Sequence, residues 1–68
     1  MRIKVRFERE NSARMVDAQI GQTIESLLKK MEVNPQTVIV VKNGEVVVEQ
    51  ETLSAGDELK ILSVKLGG

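Results

Sequence analysis

Met1, Ile3, Val5 and Phe7 alternate with Arg2, Lys4, Arg6 and Glu8, the period-two pattern of a strand with one apolar and one solvated face. Glu10-Asn11-Ser12 supplies polar turn residues, and a second strand is expected over residues 14–20, near enough to close an antiparallel hairpin. Gly21-Gln22-Thr23 then opens a helix, with the Thr23 hydroxyl suited to accept from an orphan amide of the first turn. Ile24, Leu27, Leu28 and Met31 repeat at i, i+3, i+4 and i+7, which gives a helix over about 23–31 with one buried stripe. Glu25 at its start and Lys29-Lys30 at its end suit the helix dipole. Asn34-Pro35 is expected to end it, since proline restricts the residue before it and has no amide to donate.

Residues 37–42 and 45–49 are apolar and rich in β-branched side chains. Asn43-Gly44 between them signals a tight hairpin turn, because both central positions tolerate positive φ. A connecting loop follows over 50–56, with Leu53 expected in the core, and a last strand is expected over 58–65. The order is ββαββ, continued by one further connection into the final strand. The helix is the long crossover that parallel neighbours need, so the first and last strands should lie side by side and parallel. One domain over 1–65 and a flexible tail over 66–68 account for the chain.

Composition narrows the chemistry. Sixty-eight residues suffice for one small core. Ten basic and ten acidic side chains cancel, unlike a domain built to coat a nucleic-acid backbone. Phe7 is the only aromatic residue, which leaves no platform for base stacking. Cysteine and histidine are absent, so disulfides, thiolate metal sites and unaided acid–base catalysis near neutral pH are excluded. No apolar run approaches the roughly 20 residues of a membrane span, and the N-terminus lacks a signal-peptide core. The expectation is a cytoplasmic monomer that is not an enzyme, needs no cofactor and binds neither nucleic acid nor membrane.

The element order, together with Val40-Val41-Lys42-Asn43-Gly44-Glu45-Val46-Val47, Ala55-Gly56-Asp57-Glu58-Leu59 and the final Lys65-Leu66-Gly67-Gly68, resembles the β-grasp sulfur carriers and ubiquitin-like small modifiers. The length is similar to the thiamine-pathway sulfur carrier and to small archaeal ubiquitin-like modifiers. It is less like the small subunit of molybdopterin synthase, which often carries aromatic and proline residues before its glycines. The resemblance implies an α+β fold, a mixed β-grasp sheet with one main helix on one face. It also implies that the terminal glycine is adenylated by an ATP-dependent activating enzyme. A sulfur donor or sulfurtransferase would then convert it to a thiocarboxylate, or it would be conjugated to lysines of target proteins.

Residue chemistry is compatible with that implication. A terminal Gly-Gly alone is weak evidence, since about 7% glycine produces it by chance in roughly one chain in 200. Gly67 and Gly68 have no Cβ, so a bare backbone can approach a nucleotide closely. Leu66 to Gly68 reach about 10 Å when extended. The terminal carboxylate is ionised at neutral pH and can attack a phosphate, and no internal thiol competes for the activated group.

Two strands break the alternation. Val38-Ile39-Val40-Val41 and Leu59-Lys60-Ile61-Leu62-Ser63-Val64 carry apolar residues on both parities. One helix covers one face of a sheet, so the second apolar set, Ile39, Val41, Leu62 and Val64, is expected to form a partner-binding patch beside the tail, with Leu66 extending it. Arg2, Lys4, Arg6, Arg9 and Arg14 place a local positive excess in the first hairpin, either a solvated face or a rim that steers an acidic activating enzyme. The alternative to a carrier is a non-catalytic interaction module with an inert tail.

Overall fold

The computed structural model describes residues 1–64. The strands are β1 (Arg2–Phe7), β2 (Ser12–Asp17), β3 (Val38–Lys42), β4 (Glu45–Val47) and β5 (Glu58–Ser63), with one helix, α1 (Ile24–Lys30). They form a mixed sheet in the order β2-β1-β5-β3-β4. β1 and β5 are parallel, and the other neighbours are antiparallel. This is the ubiquitin-like β-grasp arrangement expected from the sequence.

The core lies between the sheet and α1. Ile3 and Val5 of β1, Val40 of β3 and Leu59 and Ile61 of β5 are buried against Ile24, Leu27 and Leu28 of the helix, with Ala18 and Leu53 closing the ends. Met31, the last member of the helical stripe, is only half-buried.

Several boundaries differ from the sequence reading, each for a local reason. β2 starts at Ser12 because Asn11 adopts a left-handed φ of 49° and its amide bonds to the Glu8 carbonyl. The turn is therefore tight, and pairing resumes at Phe7↔Ser12. The strand ends at Asp17, after which Ala18 turns into the core. β4 stops at Val47 because a turn follows, closed by Glu51 N–H bonding to Val48 O. That turn delivers the Glu49 and Glu51 carbonyls to the amides of Glu25 and Ile24 at 2.9 Å, while Ser26 N–H bonds to Thr23 Oγ1. The first-turn donors of α1 are thus consumed inside the fold.

The helix is not ended by Asn34-Pro35. Glu32 takes a left-handed φ of 62°, its amide bonds to Lys29 O, and Val33 N–H bonds to Leu28 O at 2.8 Å. This is a Schellman cap with glutamate where glycine is usual. Asn34-Pro35 instead starts a short 3₁₀ turn, Pro35–Thr37, with Asn34 Oδ1 accepting from Gln36 N–H. β5 ends at Ser63, and Val64 continues with its amide bonded to Thr37 O at 2.9 Å. Lys65, expected in this strand, lies outside the described residues, as does the proposed 66–68 tail.

Candidate docking face

The face of the sheet opposite α1 has no covering layer among the described residues. Strand parity sends Val40, Leu59 and Ile61 to the helix, so their neighbours Ile39, Val41, Lys60 and Leu62 occupy the open face. Register brings them together: Ile39 pairs with Leu62, Val41 with Lys60 on β5 and with Val46 on β4. Ile39 is 42% exposed, and Val41 and Leu62 are half-buried. Three of the four residues read from the sequence therefore form one apolar surface. Val64 is half-buried beyond the end of β5. Leu66, Gly67 and Gly68 lie outside the described residues.

Two exposed residues were missed by that reading. Val46, 72% exposed, extends the surface across β4, and Val48, 67% exposed, follows that strand. The signal was present, because Val46-Val47-Val48 is apolar on both parities, as Val38 to Val41 is.

The positive excess of the first hairpin divides between faces. Arg2, Lys4 and Arg6 share the open face, and Arg6 sits opposite Lys60 on β5. Arg14 pairs with Val5 and lies over the Phe7 ring, 5.1 Å from its centroid, a cation–π contact on the helix side. Arg2 and Asp17 approach to 3.8 Å with both side chains more than 70% exposed, so that pair contributes little.

A polar clasp fixes the border of this face. The Asn43-Gly44 turn has φ values of 52° and 87°, as a type I′ hairpin requires. Asn43 Nδ2 donates to Asp57 Oδ1 and Asn43 Oδ1 accepts from Glu58 N–H, both at 2.9 Å. Ser54 N–H donates to Asp57 Oδ2 at 2.8 Å, and Lys42 Nζ lies 4.0 Å from that oxygen. The Asn43 hydrogen bond and then that from Ser54 hold the Asp57 carboxyl below its ordinary value; burial opposes them, and the Lys42 charge adds the smallest contribution. Asp57 and Glu58 are accordingly a turn anchor and a strand residue, and among the described residues no three acidic side chains gather as a metal site. Among the described residues no helix is long and apolar enough to cross a membrane.

Comparison with known proteins agrees with this architecture. No curated protein sequence matches the chain. Among solved structures, SAMP1 from Haloferax volcanii superposes with a TM-score of 0.75 at 19% identity, covering all of both chains. The thiamine biosynthesis protein ThiS from Geobacter metallireducens gives 0.70 at 26% identity, again over all of both chains. A chain from the complex of subunits 1 and 2 of the molybdopterin-converting factor from Helicobacter pylori gives 0.71 at 17% identity over the full length of each. The family model described as small archaeal modifier protein 2 matches residues 1–64. The chain belongs to that family of ubiquitin-like β-grasp modifiers.

Proposed function

We propose that this protein is a carrier rather than a catalyst: its Gly68 carboxylate is adenylated by an ATP-dependent activating enzyme that docks on the open face of the sheet. The observation that supports this reading most directly is continuity along β5. Leu62 belongs to the exposed apolar surface, and Gly68 follows it by six residues on the same chain. Six residues span at most about 20–22 Å, so a partner holding this face would have the terminus within its reach. The molybdopterin-converting factor neighbour, described as one of two subunits in a complex, is in keeping with a β-grasp chain that works in the grip of a partner.

The chemistry follows from the poor electrophilicity of a carboxylate. A Gly68 oxygen attacks the α-phosphorus of ATP and pyrophosphate leaves, giving an acyl-adenylate. The terminal sulfur of a donor persulfide attacks the carbonyl and AMP leaves, giving an acyl disulfide. A second thiol then cleaves the S–S bond to release the thiocarboxylate. Attack by a target lysine on the activated carbonyl would instead yield an isopeptide bond. Gly67 and Gly68 serve these steps by presenting no Cβ to the enzyme's channel.

ATP–pyrophosphate exchange with the activating enzyme of the same cell tests the proposal. Deleting Gly68 leaves a similar carboxylate about 3.3–3.6 Å short. A misplacement of about 1 Å can cost on the order of 100-fold, so exchange should be nearly abolished. Gly67→Val should fail as well, because a β-branched side chain obstructs and stiffens the segment. Absence of exchange by the wild-type chain would overturn the carrier reading in favour of an interaction module, and exchange at the wild-type rate by the truncated chain would remove Gly68 as the required terminus.

A further inference from the structure

The centre of the open face sets two cations at directly opposed positions. In the parallel pairing of β1 with β5, Arg6 stands directly opposite Lys60, and like charges at directly opposed positions are unfavourable. Lys60 is partly relieved by Glu8, whose carboxylate is 3.4 Å from its Nζ. Among the described residues, no carboxylate lies within ion-pair distance of Arg6 or Lys4. Glu58 stands opposite Lys4 in the register and makes no ion pair with Arg6 or Lys60.

The next positions along the same row are apolar, since Lys60 pairs with Val41 and Val41 with Val46. Arg6, Lys60, Val41 and Leu62 line one shallow depression, whose border is made by Asn43, Gly44 and the acidic Glu58. A row that is cationic at one end and apolar at the other is not self-complementary when laid directly on its like. It also carries no aromatic side chain to stack on a base. The complementary surface is a protein segment with a carboxylate beside bulky aliphatic side chains.

We propose that Arg6 and Lys60 form a carboxylate clamp for the docking partner, which inserts an acidic side chain between the two cations and lays aliphatic side chains on Val41, Val46, Ile39 and Leu62. This rests on reading the open face as the docking surface and specifies the chemistry of what docks there. Local violations of pairing rules that lower stability concentrate where a site needs them, and an incoming carboxylate would relieve this one.

Isotope-labelled protein titrated at low salt with two synthetic peptides tests the clamp by amide chemical shifts. One peptide alternates leucine with glutamate, the other leucine with lysine. The glutamate peptide should bind up to roughly 30-fold more tightly, as two exposed ion pairs at the upper end of their range allow, shifting the amides of Arg6, Lys60, Val41 and Leu62. Arg6→Glu should reverse the preference. Arg6→Gln and Lys60→Gln should each weaken it, while the melting temperature of the free protein holds or rises for Arg6→Gln. Equal affinity for both peptides, shifts confined to other faces, or a lowered melting temperature in Arg6→Gln would overturn the clamp. Neither peptide touches the terminus, so a failure of Gly68 activation leaves this result readable.

Discussion

Replacing Asn43 by glycine isolates the clasp that holds the β3–β4 hairpin to the start of β5. Glycine keeps the left-handed backbone at φ 52° and removes only the side chain. Two hydrogen bonds are lost, one to the Asp57 carboxylate and one from the Glu58 amide, each 2.9 Å long. A hydrogen bond to a charged group contributes about 1.5–3 kcal/mol and a neutral one about 0.5–1.5 kcal/mol. Asn43 is exposed, so water takes up part of the loss and the low ends apply, giving about 2 kcal/mol for Asn43→Gly. At roughly 4–8 °C per kcal/mol for a domain of this size, the melting temperature should fall by about 8–16 °C. Asn43→Ala should fall further, by about 1 kcal/mol, because an alanine Cβ is unfavourable at positive φ. With neither Trp nor Tyr in the chain, the assay is far-ultraviolet circular dichroism in thermal and urea unfolding. An Asn43→Gly protein as stable as wild type would show that the clasp contributes nothing. An alanine variant no worse than glycine would show that backbone conformation does not limit this turn.

The other expectations use the same structure. Because the Asp57 carboxyl is held below its ordinary value of 3.8, the unfolded chain takes up its proton first as pH falls. The stabilisation is complete above that value and lost below it as pH falls through the folded pKa, so Asp57→Asn should flatten the acid limb of the stability profile. Retention of the same acid limb in Asp57→Asn would assign it to other groups. Glu32→Gly should stabilise the fold by about 1 kcal/mol, since the cap places a side-chain-bearing residue at positive φ, and urea midpoints measure it; a loss of stability would mean that the glutamate side chain supports the cap. Val41→Asp and Leu62→Asp should weaken binding to the activating enzyme, measured by titration calorimetry, with the amide spectrum of the fold preserved. Unfolding by either would place these residues in the core, and unchanged affinity would remove the patch as an interface.

What was legible in the sequence was whatever depends on residues close together in the chain. Asn43-Gly44 announces its turn because both positions need positive φ, and Ile24, Leu27 and Leu28 announce a buried stripe because helical period alone aligns them. The doubled apolar parity of Val38 to Val41 implied two faces, and Val40 goes to the helix while Ile39 and Val41 go to the open side. The helix end was misread because Pro35 is a strong local breaker, whereas the actual stop at Glu32 is a backbone conformation that glutamate does not advertise. The clasp was hidden for a different reason: Asn43 meets Asp57 and Glu58 only once β5 lies against β3. The same applies with more force to Arg6 and Lys60. Arg6 belongs to the positive excess legible in the first hairpin, Lys60 reads alone as an ordinary solvated side chain, and only the parallel register of β1 with β5 sets them side by side. Local pattern therefore carried the apolar half of the proposed docking face and the cations of the first hairpin, and long-range topology supplied the pairing of Arg6 with Lys60. Selectivity for a partner depends on both, because aliphatic contact alone cannot discriminate an acidic surface from a basic one, while two adjoining cations can.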